Sequence, residues 1–382
     1  LTGIDGSNPL GFLSAVGVLQ ALHAAGHRGA RLGWRRAATW HPVLTRLSIL
    51  TGAGDVAACQ ATLAAELAAA LRGPDIPDGA EAKLRQEDKQ YDAARKAVAN
   101  KLREIKERGL RGDERRRALE AGLAPLEAEV ENRRRERQAA LREAVPRREL
   151  AIGKHIDCTF EEYREHVHTL FEGAGVDDRE PLDLLAAFAN DACLHPNRDK
   201  AKGGTLAPTP FCFTSGSGHQ YFLDTARQLM SKVTVDRTLG ILFEPWRYQD
   251  EGLSMRWDPV EDRRYALMDQ DPGPLGARSV WMANLLAYRA LALFPSAPRG
   301  KQLVTAAWTM NGVEGTFTWP IWEAAIDLET VRFALSLPDL VGDSPDHGSL
   351  RARGITALFR ARRIKVGEGG NYKLNFSQAA RV

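Results

Sequence analysis

Cysteine is scarce: four in 382 residues, Cys59, Cys158, Cys193 and Cys212, with no Cys-x-x-Cys pair among them. That spacing excludes a disulfide framework and paired-cysteine zinc modules, and it fits reduced, mostly buried thiols of an intracellular protein. His166-x-His168 and Cys193-x-His195 are the close pairs of metal-ligating type, and neither has the spacing of a recognised zinc site. No apolar run reaches the roughly 18 residues that a membrane-spanning helix needs, and the apolar stretch at 10–25 lacks the basic flank of a signal peptide. The chain starts at Leu1 without a methionine, so the expectation is that residues precede it in the full protein. A Gly-Lys-Ser/Thr phosphate loop is missing, and the G-x-S-x-G frame fails at Ser217, where Ser215 and His219 occupy the glycine positions. No internal repeat and no regular βα alternation is found. No nucleophile, base and oxyanion set is assembled by spacing, and no cofactor is expected.

What is present begins with 5–22. Asn8 followed by Pro9 reads as a helix start, the amide capping free N–H groups and proline supplying the first-turn φ. Gly11, Ala15, Val18 and Leu22 form a small-residue face, while Leu13, Val16 and Leu19 leave the helix little polar surface. The expectation is a buried helix ending at Gly26. Gly3 and Gly6 flank Asp5 in the loop before it, where amides and the helix dipole favour a phosphate; a capped core helix with no ligand is the alternative. Short strands are expected at 31–34 and 40–44, and a helix at 55–71.

The turn formers at 73–79 mark the clearest boundary. From 81 to 145 the composition becomes charged helix, with Leu84, Tyr91, Val98 and Ile105 seven apart and Leu119, Leu123, Leu126 and Val130 stepping 4, 3, 4. Gly109 to Asp113 supplies a turn and a cap, so a coiled-coil-like antiparallel hairpin is expected, about 40 Å long at about 1.5 Å per residue, with Pro125 a kink point in its second arm. Residues 81–149 hold 20 Lys+Arg against 15 Asp+Glu, while the whole chain carries only +3. Arg115–Arg117 and Arg133–Arg135 read as a solvated face balanced by glutamates, or as an arm lying on nucleic acid or a partner subunit.

Beyond 151 the pattern is mixed, with helices expected at 160–172, 181–193, 221–231, 276–293 and 328–336, and strands near 255–258, 264–268, 303–308, 315–319, 361–366 and 372–376. The fold class is α+β: an irregular mixed domain interrupted by the long hairpin. Three segments follow, 1–78, 79–150 and 151–382. Two stretches combine glycine amides with cations. Arg198, Lys200 and Lys202 lead toward Ser215, Gly216, Ser217, Gly218, His219 and Gln220, a loop able to approach a phosphate backbone, or a plain surface turn. In the second, Arg351, Arg353, Arg360, Arg362, Arg363 and Lys365 follow one another with no acidic residue between; Leu358, Phe359, Ile364 and Val366 are expected to seat the segment while the arginines face outward. A turn with Asn371 and Lys373 comes next, able to probe a groove edge. A basic strand with no ligand is the alternative.

The run Leu1-Thr2-Gly3-Ile4-Asp5-Gly6-Ser7-Asn8-Pro9-Leu10-Gly11-Phe12-Leu13, with Val16 to Leu19, resembles the opening of large-subunit proteins of type I CRISPR systems, most of all type I-G, formerly I-U. Phe211 to Leu223 is similar to the glycine-serine loop of those proteins, and Trp257-Asp258-Pro259, Arg263 to Leu267 and Ala283 to Pro295 fit as well. The resemblance implies a non-catalytic subunit of a cytoplasmic antiviral-defence complex, Cascade. Its partners are the other subunits, a guide RNA, double-stranded target DNA and a helicase-nuclease, with no membrane involved. The subunit reads the protospacer-adjacent motif and helps to separate the strands. On that reading Asn8, Ser215, Gly216, Ser217, Gly218, His219, Gln220, Asn371 and Lys373 are candidates for groove or loop contacts. Arg198, Lys200, Lys202, Arg351, Arg353, Arg360, Arg362, Arg363 and Lys365 are candidates for phosphates. The hairpin interrupts the resemblance, and the C-terminal helical bundle common in such subunits is not found, which points to a truncated or divergent member. The alternatives are a nuclease or hydrolase using the Ser215–His219 loop, and a coiled-coil adaptor.

Overall fold

The computed structural model describes residues 1–50, 54–156, 158–175, 178–195, 205–214, 221–261, 278–342, 345–366 and 373–382. Helix α1 (Pro9–Ala24) starts where Asn8 accepts hydrogen bonds from the amides of Leu10 and Gly11, and every residue from Pro9 to Leu22 is buried. Against it lies a second apolar helix, α9 (Trp281–Ala290 in the order given below), buried from Met282 onward. Gly17 sets the approach: a Cβ there would stand 1.8 Å from the carbonyl oxygen of Leu286. Ser14 Oγ donates to Leu10 O and Ala283 O, so this buried hydroxyl is satisfied.

Strands β1 (Arg31–Arg36) and β2 (Trp40–Thr45) form an antiparallel hairpin, and α2 (Val56–Arg72) is capped by Asp55. After the second unit come α5 (Phe160–Gly173), α6 (Glu180–Phe188), α7 (Phe222–Met230) and α8 (Val235–Phe243). The short pair β3 (Asp250–Glu251) and β4 (Arg278–Ser279) precedes α9. Hairpin β5 (Ser296–Arg299) and β6 (Gln302–Thr305) leads into the main sheet: β7 (Trp308–Asn311), β8 (Glu314–Trp322), β9 (Ile355–Val366), β10 (Lys373–Phe376) and β11 (Ala380–Arg381). The spatial order is β10-β9-β8-β7, β11 sharing the β10 edge of β9, and every pairing is antiparallel. Helices α10 (Leu328–Leu335) and α11 (His347–Ala352) sit between β8 and β9 in sequence. The molecule is α+β.

The sheet's inner face is aromatic. Trp308, Phe317 and Phe376 stack on one another, Phe317 on Trp319, and Trp319 on Phe359. Phe12 of α1 closes on Trp319 and Trp34. Elsewhere Arg289 of α9 forms a bidentate pair with Glu180 of α6 and donates to Ala70 O of α2, with only 2% and 7% of the two charged side chains exposed.

Contacts divide the chain into two units, one of Leu1–Gly73 with Ile152–Val382, the other of Pro74–Ala151. Leu1–Gly73 and Ile152–Val382, which the sequence reading divided between the segments 1–78 and 151–382, form one body, because α1 has its apolar surface covered by α9 and by the β8 aromatics. In the second unit α3 (Ala80–Glu107) and α4 (Gly112–Glu143) pair in opposite directions: Lys83 with Glu143, Asp88 with Arg137, Gln90 with Arg133. Ala80, Leu84, Ala140, Leu141, Ala144 and Ala151 make its core. Leu84 and Ile105 are buried, while Tyr91, Val98, Leu119, Leu123, Leu126 and Val130 are half-buried. Helix α4 continues through Pro125.

Several expected elements differ. The helix expected at 181–193 ends at Phe188, because Ala189 is extended. Residues 255–258 are a loop rather than a strand, held by Asn284 Oδ1 accepting from Met255 N. The 303–308 strand is two strands, broken at Ala307 with φ 64°. Helix α8 was not anticipated, the 276–293 helix starts only at Trp281, and β9 begins six residues before the expected 361. The strand expected at 264–268 lies outside the described residues.

Candidate nucleic-acid interface

The loop before α1 consumes its own donors. Gly3 N reaches Leu242 O, Gly6 N reaches Trp40 O and Asn8 N reaches Asp5 O. Ser7 N and Oγ both donate to Asp5 Oδ1, and Asn8 Oδ1 takes Leu10 N and Gly11 N. These amides are directed at protein acceptors, which corrects the expectation of a phosphate at this helix start. Asn8 is likewise withdrawn as a groove contact: its Nδ2 donates to Asp258 Oδ1 at 3.0 Å, while Tyr248 OH donates to Asp258 Oδ2 at 2.6 Å. Asp258 is 1% exposed and also accepts from Val260 N. Side chains 250 residues apart thus share one buried carboxylate that joins the α1 loop to the Trp257-Asp258-Pro259 turn.

Arg198, Lys200, Lys202, Ser215, Gly216, Ser217, Gly218, His219, Gln220 and Asn371 lie outside the described residues. The stretch leading into 215–220 is described and firmly placed. Trp257 Nε1 donates to Phe211 O at 2.9 Å, and Phe213 packs edge-on to Phe376 of β10 at 4.8 Å. Cys212 Sγ donates to Thr214 O at 3.4 Å and stands 3.9 Å from His155 Nδ1, both residues buried.

Strand β9 separates the arginines expected to act together. Arg363 points inward: its Nε donates to Val313 O at 2.8 Å, its second nitrogen to Pro210 O at 2.7 Å, and its guanidinium lies over the Phe213 ring. It is 9% exposed, and its strand neighbours on that face are Phe359 and Ala361, so period-two alternation sends it into the core. Arg363 is a structural residue, against the expectation that all the arginines face solvent. Arg360 and Arg362 alternate onto the other face. Arg360 is tied to Thr318 Oγ1 and Gly342 O, whereas Arg362 is 69% exposed at its side chain and stands 3.8 Å from Glu314. Lys365 and Lys373 are exposed near the end of the β9–β10 ladder. Ile364 is only half-buried and Val366 is 37% exposed, so neither seats the strand as expected.

At the opposite end of β9, Arg353 pairs with Asp339 at 2.8 Å. Arg351 lines a cleft of about 240 Å³ with His347, Leu350 and Arg381. Twelve residues of strand span about 36 Å at roughly 3.3 Å per residue, so the basic run is two clusters rather than one. Arg381 escaped the sequence reading because it is brought to Phe359 only by the β11 pairing.

A second cleft, about 440 Å³, was also missed; it is lined by Arg237, Trp246, Arg247 and Tyr248 among others. Arg237 lies over the Trp281 ring at 4.8 Å. Asp236, Glu244 and Asp250 line the same cleft and outnumber its two arginines, so its field does not favour a polyanion. Its signal in the sequence is the Trp246-Arg247-Tyr248 triplet, aromatic side chains interleaved with a cation.

Among the described residues, no group of three or more His, Cys, Asp or Glu side chains is placed to share a metal ion. His166 is buried in α5 and His168 pairs with Glu172 on its surface. Burial pushes the Cys193 thiol up, aided by the charge of Asp191. No described helix is long and apolar enough to cross a membrane. Compared with known protein families and with curated proteins, the chain matches none.

Proposed function

We propose that this chain is a non-catalytic, cytoplasmic large subunit of an RNA-guided Cascade complex, most like type I-G. It binds target duplex DNA beside the guide RNA and the other subunits, reads the protospacer-adjacent motif, and supports strand separation and recruitment of a helicase-nuclease. The observation that carries the reading is the two-faced β9 strand. Arg362 and Lys373 share the outer face near one end of the sheet, and Lys365 is exposed beside them on the opposite face at the strand's end, while Arg363 on the inner face anchors Pro210 and Phe213, the described approach to the glycine-serine loop. A cationic end of this kind neutralises phosphates without reading bases, which suits a subunit whose sequence specificity is delegated to base pairing. On the same reading the Pro74–Ala151 unit is a coiled-coil-like hairpin inserted into the body.

Binding of duplex DNA by the full chain across a salt series tests the reading. The triple variant Arg362→Gln, Lys365→Gln, Lys373→Gln is expected to lose affinity about tenfold and to flatten the salt slope by about 3, at about 0.9 per phosphate contact, with an unchanged melting temperature. Arg363→Gln is expected to lower the melting temperature instead, because it strips two carbonyl oxygens of their donor. Divalent-dependent cleavage would favour the nuclease or hydrolase alternative, and indifference to DNA the adaptor.

A further inference from the structure

The two arms of the α3–α4 unit treat their arginines differently at its two ends. At the root, residues 81–95 and 129–143 carry nine Lys+Arg and eight Asp+Glu, and the charges are spent on each other. Arg133 pairs with Glu129 and Glu136, both at 2.7 Å, and Arg137 reaches Asp88 at 2.7 Å. Arg134 and Arg135 both pair with Glu131, whose carboxyl their hydrogen bonds draw down to about 2. The root triplet is thus a self-neutralised surface.

At the tip the balance changes. Residues 106–117 carry six Lys+Arg against three Asp+Glu, all of them exposed. Arg116 pairs with Asp113 at 3.1 Å, but Lys106, Arg111, Arg115 and Arg117 meet no carboxylate among the described residues. Arg111 occupies the N-cap position of α4 without a capping hydrogen bond, a place where the dipole disfavours positive charge, and three successive arginines follow beyond the first-turn acids Asp113 and Glu114. Successive helical residues are about 100° apart, so the Arg115–Arg117 side chains fan around most of the helix circumference, and Lys106 extends the patch across the turn onto α3.

We propose that this tip is a second, sequence-independent contact for the phosphate backbone of duplex DNA, an inference that rests on the nucleic-acid reading of the previous subsection. The tip holds its cations about 40 Å from the root, at about 1.5 Å per helical residue, so it engages a stretch of backbone and recognises no base.

The test uses the full chain and the variant Lys106→Gln, Arg111→Gln, Arg115→Gln, Arg117→Gln, which keeps the Arg116–Asp113 pair and helix-compatible side chains. Its helical circular dichroism is expected to match the wild type. Its affinity for duplexes of unrelated sequence is expected to fall at least tenfold at about 0.1 M salt, equally for all of them, with the salt slope flatter by about 2 to 4. A tip variant that binds like the wild type, while the β9 triple variant does not, overturns the tip contact and leaves the β9 reading standing. The reverse pattern supports the tip and overturns β9. A wild-type chain that binds no duplex overturns both.

Discussion

Residue identity alone does not say what an ionisable side chain is for; its partners do. Asp327 is an exposed acid by composition, yet its Oδ1 accepts from Thr330 N at 3.0 Å and Thr330 Oγ1 at 2.7 Å, closing the start of α10, with Arg31 3.8 Å away. The Thr330 hydroxyl, then its amide, hold the carboxyl below its ordinary 3.8. A depressed folded value means that the stabilisation is complete above 3.8 and is lost as pH falls through the folded value. Asp327→Ala is therefore expected to lower stability by about 1 kcal/mol near neutral pH, and the gap to the wild type should close below about pH 4. Urea midpoints at both pH values check it; a gap of constant size down to strongly acid pH removes the cap from the account. Arg362 and Arg363 make the same point without titration, one exposed near Glu314 and the other bonded to two carbonyls.

Elements inherit their positions from close backbone approaches. The α1–α9 contact depends on Gly17, where an added Cβ would overlap Leu286 O at 1.8 Å, backbone that has nowhere to move without separating two buried helices. Gly17→Ala is expected to cost about 3 kcal/mol, whereas Gly122→Ala in α4, whose Cβ meets the flexible end of Lys101 at 3.0 Å and touches Ile105 Cδ1 at an ordinary 3.6 Å, is expected to be neutral or stabilising by up to about 1 kcal/mol. Chemical denaturation of the two variants checks the contrast, and equal effects would deny the helix approach its role. Sequence reasoning reached α1 because its cap, its small face and its length all agree, and it reached β1, β2, α5, α7 and α10 through similar local signals. It missed α8, nine residues with Gly240 inside them, and misplaced the start of β9, where Ile355, Ala357, Leu358 and Phe359 are buried by tertiary contacts that no period announces. The candidate interface was legible as composition only. That Arg363 turns inward follows from strand register, and that Asn8 is occupied follows from an aspartate 250 positions away, neither of which spacing reveals.

At the scale of the molecule, the two units differ in how they are held together. The larger has a continuous aromatic and aliphatic core threaded by α1, with a buried Arg289–Glu180 pair tying three helices. The smaller rests on two leucines, four alanines and a surface of ion pairs, most of them exposed. Exposed pairs of this kind contribute about 0–1 kcal/mol each, and alanine buries little area, so the smaller unit is the weaker. All eight tryptophans lie outside Pro74–Ala151, while α3 and α4 supply 28 and 32 helical residues. Far-ultraviolet circular dichroism therefore reports both units, and tryptophan fluorescence only the larger. In a urea titration, part of the helical signal is expected to disappear before any change in fluorescence. That early phase should move to lower urea with added salt, as the ion pairs of the smaller unit are screened. Coincident transitions by both probes would instead mean that the units unfold as one, and the α3–α4 pair would then draw its stability from the body rather than from its own short core.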